Sequence, residues 1–492
     1  MLAKLTRAIN AAHRSWHDDG GGWLPWQGGW GGNGGFDAAG RGDRWPRSSL
    51  IFSPVSQQLG ARLPIARRAG WLVQNSPSAA SFVHTWVTSL VSTGPIARSQ
   101  HPDEATRKVL EKAWGRFCDR CDAEGPGDLT AFLTKSVRNL VTTGESFVQM
   151  PIVDRSLRVK LLNSEQIDTN WTRQLADGVA IFNGVEVDRN GKRLAYWVLP
   201  YQWDLPWVPQ TYPPNRISAD DVLHLFDPQS PGAVRGLSWL TPIATRLLEL
   251  DRLEDALLAR ANTSALFCGF VRDVDNTAGF QTQQRTRDGR PELSMEPGTL
   301  RVLPPGTDVV FPSNMPDVAG TGDFLKHILR TIAAGGGVPA SLLTGDLSDV
   351  NYSSARMGLE QFKRAVSRIQ STMLVAQLLQ PVWERFVLVE ILSGRLEARD
   401  YENEPGLYND VDFRWPAWPS LDPSIDAAAD ESSLRNKLKS RAEIIAQRGR
   451  DIADVDAEIA ADPLRPAANT EDNEDRPPAL RGGGKKRGLQ HA

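Results

Sequence analysis

The sequence is poor in cysteine and histidine, and it has no long hydrophobic run. Three of its 492 residues are cysteine and seven are histidine. So few cysteines exclude a disulfide-built scaffold. No window approaches the ~18 apolar residues that a membrane-spanning helix needs, so we expect no membrane partner. Lys4, Arg7 and Arg14 interrupt the first residues, and we therefore expect no signal peptide and an intracellular site of synthesis.

The sequence also lacks an excess of either positive or negative charge. The chain carries 56 Lys+Arg against 59 Asp+Glu, a net charge of −3. A global basic bias would favour nucleic acid as a partner, and this composition has none. Any handling of DNA must therefore rest on local charge, or on a ring that only encloses the DNA.

The familiar catalytic and metal-binding motifs are absent. There is no G-x-x-x-x-G-K-[ST] loop, no G-x-S-x-G elbow and no H-E-x-x-H helix, so we expect no enzyme, no cofactor and no metal. Glu145 is a candidate catalytic carboxylate, but no partner acid lies at a useful spacing. Asp346 and Asp349 lack a third oxygen ligand and are more typical of turns. Cys118 and Cys121 form an isolated C-x-x-C, which we interpret as reduced, partly buried helix cysteines.

The one unusual abundance is tryptophan, with 16 residues. Several lie in the tract WLPWQGGWGGNGGF near the start of the chain. A platform that stacks sugars or bases is one interpretation. A flexible arm that orders against a partner is favoured, because glycine at this density does not preorganise a binding face. Among the histidines, His84 and His224 lie in apolar runs, and we expect both to be partly buried.

The hydrophobic periods predict an α+β fold. Amphipathic helices are expected over 66–91, broken at 75–77 with Ser76 as the cap of the second helix, and over 103–122 and 128–141. Between Phe147 and Phe226 the period changes to that of a mostly antiparallel sheet. Its strand candidates are SFVQMPIV, LRVKLLN, VAIFNGVEVD, RLAYWVLP and DVLHLF. Asn190-Gly191 predicts a hairpin.

Two later stretches have long apolar stripes. Ser238 is predicted to cap a helix whose stripe consists of Leu240, Ile243, Leu247, Leu250, Leu253 and Leu257, with a charged opposite face. Gly335, Gly336 and Gly337 are poor helix formers and predict a loop, with Leu342 and Leu343 as its apolar tip. A strong amphipathic helix is then predicted from Ser353, and Pro381 should kink or break it.

Several of these stretches resemble the lambda-type phage portal protein family. The strongest is LTGDLSDVNYSSARMGLEQFKR, and the others are WLVQNSPSAASFVHTWVTSLVSTG, LVTTGESFVQM, RGLSWLTPIATRLLELDRLEDALLARA and EPGTLRVLPPGTDVVFP. The resemblance extends over roughly residues 61–460. Portals of this family are rings through which DNA enters and leaves a capsid.

The resemblance implies a portal-type subunit: an α+β fold with a helical and β wing, two stem helices, a small β-containing clip, a long kinked helix and a helical crown. The implied order is a flexible Gly/Trp-rich arm (1–60), a wing of helices then strands (61–239), the first stem helix (240–267), the clip (268–318), the second stem helix (319–336), a tunnel loop (337–352), the long helix and return to the wing (353–424), the crown (425–464) and a disordered tail (465–492).

The resemblance also implies a structural function. Expected partners are further copies of the chain in a ring, a dodecamer by family precedent, together with double-stranded DNA, the terminase, the major capsid protein and a head-completion or adaptor protein. The expected location is the portal vertex of the virion, after assembly in the host cytoplasm. The implied DNA-facing tunnel-loop residues are Leu342, Leu343, Asp346, Asp349 and Asn351, and the stem or channel candidates are Arg246, Arg252, Arg260 and Lys326. The alternatives are another structural component of a phage or gene-transfer particle, and a Trp-rich enzyme acting on glycans.

Overall fold

The computed structural model describes residues 54–125, 127–200, 213–266, 270–273, 307–310, 321–348, 352–398, 400–418 and 422–462. The chain divides into two compact units, 1–57 and 58–492, and the description below concerns the second. Most of the predicted N-terminal arm (1–60) and clip, and the tail at 465–492, lie outside the described residues. Residues 54–60, which were predicted to belong to the flexible arm, are helical.

The first described elements are mostly helices, as the sequence predicted for 66–91, 103–122 and 128–141. Its helices are α1 (Pro54–Asn75), α2 (Pro77–Val91), α3 (Glu104–Cys118) and α4 (Leu129–Thr143). Asp103 and Asp128 cap α3 and α4 by accepting backbone N–H bonds from Thr106 and Ala131. The break before Pro77 is confirmed, and Ser76 is the N-cap residue as predicted, but its side chain makes no cap hydrogen bond. The Ser76 hydroxyl instead donates to Asp251, 175 residues later, at 3.0 Å.

The β part of the wing contains antiparallel sheets among the described residues. The strands are β1 (Ile96–Ser99), β2 (Glu145–Gln149), β3 (Ile152–Val153), β4 (Ser156–Leu157), β5 (Lys160–Leu162), β6 (Arg173–Gln174), β7 (Ala180–Phe182), β8 (Val185–Val187), β9 (Arg193–Val198), β10 (Asn215–Ser218) and β11 (Val222–Phe226). One sheet has the order β11-β2-β5 and another β10-β9-β8-β7-β6, while β3 pairs with β4. The mixed helix and sheet architecture is confirmed.

Two Asn-Gly pairs make hairpins in the larger sheet. The predicted turn at Asn190-Gly191 joins β8 to β9. The stretch VAIFNGVEVD, predicted as one strand, is two strands joined at Asn183-Gly184. Both residues of that turn have positive φ, 46° and 81°, as a tight two-residue hairpin turn requires.

The helices after the sheet are long. They are α5 (Ala244–Leu266), α6 (Thr321–Gly336), the short α7 (Ala340–Thr344), α8 (Tyr352–Ile369), a π-helical segment (Gln370–Leu379) and α9 (Gln380–Leu392). Between α5 and α6, β12 (Phe270–Asp273) pairs antiparallel with β13 (Thr307–Val310).

Pro381 does not break the long helix. The N–H of Gln380 bonds to the carbonyl of Val375, five residues back, so the helix is already wider than an α-helix when it reaches the proline. Pro381 then occupies the first turn of α9, where its missing N–H has little cost. The chain thus passes from α8 to α9 through a π-helical segment, without a break at the proline.

The last described elements are α10 (Pro405–Asn409), β14 (Val411–Arg414), α11 (Pro423–Arg435), α12 (Arg441–Gln447) and α13 (Ile452–Ala461). Strand β14 pairs with β1. The main core joins α2, α3, α4, α9 and the stripes of α5 and α8. A smaller core around Phe147 and Tyr196 lies between the two larger sheets. No helix of the described residues is long and apolar enough to cross a membrane.

Candidate functional site

The segment leading into α5 is fixed to the wing by two glycines. Gly144 ends α4 with a φ of +89°, and a Cβ there would lie 2.0 Å from the carbonyl carbon of Leu237. A Cβ on Gly236 would lie 2.0 Å from the carbonyl oxygen of Gly144. The two backbones are therefore in direct contact, which only glycine permits. The N–H of Trp239 extends the contact by donating to the carbonyl of Val141 at 3.1 Å.

Glu145 lies beside this contact in a buried ion cluster. Its carboxylate accepts from Arg235 at 2.6 Å, lies 2.9 Å from Arg62 Nη1 and is 3.3 Å from His224 Nε2. It also accepts the N–H of Gly236 at 3.1 Å. All four side chains are at most 1% exposed. The cluster thus joins α1, β2, β11 and the entry to α5.

The electrostatics of the cluster favour a permanently ionised Glu145. Burial alone would raise the pKa of its carboxyl, but the charges of Arg235 and Arg62 overcome this and hold the pKa well below its usual range. Burial lowers the pKa of His224 to about 4, so its imidazole is neutral at pH 7. The Glu145 carboxylate has no solvent access and is neutralised by two arginines, so it cannot contact a substrate. Glu145 is structural.

The first half of α5 lies in the core and the second half extends beyond it. Leu247 and Leu250 are fully buried, whereas Leu253 and Leu257 are only half-buried and Leu258 is 62% exposed. On α6, Phe324 is likewise 54% exposed. The predicted apolar stripe therefore continues past the part of α5 that is buried among the described residues.

The charged stem candidates lie on the outer faces of these helices. Arg246 and Arg252 are exposed, and Arg252 pairs with Glu249 at 3.0 Å. Arg260 is half-buried. Lys326 of α6 lies 3.9 Å from the carboxylate of Asp346, so the fold brings together one stem candidate and one tunnel-loop candidate.

The predicted loop at 335–337 is partly wrong, because α6 includes Gly335 and Gly336. A Cβ at Gly335 would lie 2.9 Å from Ile243, and one at Gly336 would lie 2.4 Å from the Phe82 ring. These glycines are therefore helical because close packing outweighs their low helix propensity. Gly337, with a φ of +70°, ends the helix as a left-handed cap, and Val338 N–H bonds back to Ala333.

The tunnel-loop candidates separate into different environments. Leu342 is 40% exposed, but Leu343 is 4% exposed and belongs to the main core, so the expected tip of two exposed leucines is wrong for Leu343. Asp346 is exposed. Hydrogen bonds from Ser348 and the nearby charges of Lys326 and Arg330 lower the pKa of its carboxyl. Asp349 and Asn351 lie outside the described residues.

The cysteine and histidine candidates do not form a reactive or metal-binding site among the described residues. Burial raises the pKa of the Cys118 and Cys121 thiols to about 12 each, which keeps them protonated. Within the described ranges, no group of three His, Cys, Asp or Glu side chains has the geometry of a metal site. Of the two histidines expected to be partly buried, His84 is exposed, because it lies on the outer face of α2, and His224 is buried.

The comparison with known families and proteins agrees with the sequence motifs. The family described as "Phage portal protein, lambda family" matches residues 43–370, more than half of the chain. A probable portal protein of Halomonas phage phiHAP-1 is 26% identical over 379 residues, covering 74% of this chain and 71% of that protein. Portal protein B of Escherichia phage lambda is 24% identical over 329 residues, covering 58% of this chain and 60% of its own length.

A solved structure has a similar but distant fold. It is the neck of a native GTA particle computed with C12 symmetry, at a TM-score of 0.47 and 16% identity, covering 78% of this chain and 94% of that one. That likeness is too weak to carry an argument. The family match over 43–370 carries the conclusion: this chain belongs to the lambda family of phage portal proteins.

Proposed function

We propose that copies of this portal protein close into a ring at the capsid vertex and pass double-stranded DNA through its centre during packaging and ejection. The observation that supports this proposal is the second half of α5, where the apolar stripe continues into the half-buried Leu253 and Leu257 and the exposed Leu258. Head-to-tail copies would cover that surface, and a heterologous contact closes when its rotation divides the circle. Family membership favours this over the alternatives of another particle component or a glycan-acting enzyme.

The charges of the stem suit a channel that holds DNA loosely. Counterion release makes each neutralised phosphate add affinity, which would stall translocation. The basic candidates are partly compensated, Arg252 by Glu249 and Lys326 by Asp346. On this proposal Asp346 repels the phosphates, and Leu342 supplies a low-friction apolar contact. Asp349 and Asn351 stay predictions of the same kind.

The assembly test uses the full chain. Mass photometry and negative-stain imaging should show rings of about twelve subunits with a central hole. Leu258→Glu should abolish these rings without changing the thermal midpoint of the monomer, because a charge would be buried in the subunit contact. The matched control is Arg252→Gln on the same helix, which should still form rings. Rings that persist in Leu258→Glu would contradict the proposed stem contact.

The DNA-facing role needs a particle test. In particles assembled with the cognate capsid protein and terminase, Leu342→Gly should spare rings and reduce packaged or retained DNA. Genome-filled particles at the wild-type yield would refute a role for Leu342. Docking of the terminase, and later of head-completion proteins, belongs to the same proposal, as does residence in the host cytoplasm before assembly.

A further inference from the structure

Helix α2 contacts four segments around the predicted tunnel loop: the entry to α5, the end of α6, α7 and α8. The indole of Trp86 lies 5.0 Å from the ring of Trp239 at the entry to α5, and 5.0 Å from Phe362 of α8. Its Nε1 donates to the carbonyl of Gly336 at the end of α6, at 3.3 Å. One side chain therefore touches the start of the first stem helix, the end of the second and the long helix.

The same face of α2 holds the short helix α7. The hydroxyl of Ser81 donates to the carbonyl of Leu343 at 2.6 Å, and that of Thr85 donates to the carbonyl of Leu342 at 3.3 Å. Carbonyls in the last turn of a helix have no partner within it, so these two hydroxyls satisfy acceptors that α7 cannot.

Helix α7 needs such support. It has only five residues, and isolated helices shorter than ~12 residues are marginal in water. The buried side chain of Leu343 supplies the apolar part of the attachment, since it joins the main core. Immediately after α7, Gly345 turns the chain with a φ of +71°, and a Cβ there would contact nothing within 4 Å. The contacts with α2 named above thus belong to α7, and beyond Gly345 the chain meets α6 through the exposed pair of Lys326 and Asp346 at 3.9 Å.

We propose that Ser81, Thr85 and Leu343 are positioning residues that hold α7 on α2, so that within α7 the exposed side chain of Leu342 can reach DNA and Leu343 cannot. The mention of DNA rests on the proposed function, but the attachment does not. Leu343 is then an anchor and not a DNA contact, while the side chain of Leu342 stays at the surface.

Hydrogen exchange of the full chain, read by mass spectrometry, tests the attachment directly. The reporters are the amides of Leu342, Leu343 and Gly345, which bond within α7. In the double variant Ser81→Ala/Thr85→Val, their exchange should accelerate by at least about tenfold, because local opening loses two hydrogen bonds. Leu343→Ala should do the same, and Leu343→Met should restore protection. Peptides from α4 serve as the internal reference for global unfolding.

Leu342→Ala is the matched control, and it should change the same amides by less than about twofold. Exchange at these amides that is unchanged in Ser81→Ala/Thr85→Val would overturn the proposal, as would an equal effect of Leu342→Ala and Leu343→Ala. The double variant removes almost no core volume, so it decides the question even if Leu343→Ala unfolds. Because exchange is read without rings or particles, a failure of the attachment is distinguishable from a failure of the portal function.

Discussion

The start of α5 and the end of α6 are joined to the preceding helices and sheets by different chemistry. At the entry to α5, buried charges and backbone contacts make the join: Glu145 binds Arg235 and Arg62, and Gly144 touches Gly236. At the end of α6, aromatic packing makes it: Phe82 lies against Gly336, and Trp86 donates one hydrogen bond to its carbonyl. The first join depends on charge balance, and the second on volume.

This difference predicts two kinds of response to mutation. A buried ion cluster fails abruptly, because removing one partner leaves the others charged and unsolvated. An apolar contact responds in proportion to the volume and hydrogen bonds removed, since neighbouring side chains relax in part. The first stem helix should therefore be the more rigidly oriented of the two.

The largest loss of stability is expected for Glu145→Gln. The variant keeps the shape and loses the charge, leaving Arg62 and Arg235 buried without an anion, and it should cost about 3–5 kcal/mol. The thermal midpoint should fall by many degrees, or the chain should fail to fold. The matched control is Glu165→Gln, which loses the half-buried partner of the exposed Arg67 and should cost at most about 1 kcal/mol. Equal midpoints for the two variants would refute the structural role of the cluster.

The pH dependence of the same cluster gives the next largest effect. The pKa of His224 falls from 6.5 to about 4 on burial, so the unfolded chain binds a proton that the folded chain does not. Stability should therefore be fully present above pH 6.5 and decline as pH falls towards 4, by up to about 3 kcal/mol. Glu145 adds no slope near neutral pH, because its pKa is depressed and its contribution is lost only at lower pH.

The measurement is the thermal midpoint from pH 7.5 to 4.5 for wild type and His224→Gln. The variant should lose part of the slope, since its side chain does not titrate. A variant whose midpoint falls as steeply as that of the wild type would show that other groups set the acid sensitivity.

Local sequence patterns predicted much of the fold but none of these joins. The stripe beginning at Leu240 and the turn at Asn190-Gly191 depend on near neighbours, and both were predictable. The partners of Glu145 are 79 and 90 residues away at His224 and Arg235, beyond any periodic pattern. Gly336 was predicted as loop because its propensity is visible in sequence and its contact with Phe82 is not.

The aromatic join should show a smaller effect than the charged one. Trp86→Phe removes the Nε1 donor and part of the ring volume, and it should cost about 1–3 kcal/mol. The control is Trp71→Phe, because Trp71 is 53% exposed and should tolerate the change. Thermal midpoints test this, and a Trp86→Phe midpoint as low as that of Glu145→Gln would show that the two joins do not differ in kind.

The smallest effect is expected on the part of the stem that extends beyond the core. Arg252 pairs with Glu249 between side chains that are 65% and 58% exposed, and such pairs contribute little because water screens them. Arg252→Gln should therefore shift the stability of the isolated chain by less than about 0.5 kcal/mol. Glu249→Gln should behave alike, as judged by thermal midpoints at low and moderate salt. A loss comparable to that of Trp86→Phe would mean that charge pairs within one chain stabilise the second half of α5. A negligible loss would agree with the proposal that neighbouring copies stabilise it through its half-exposed leucines.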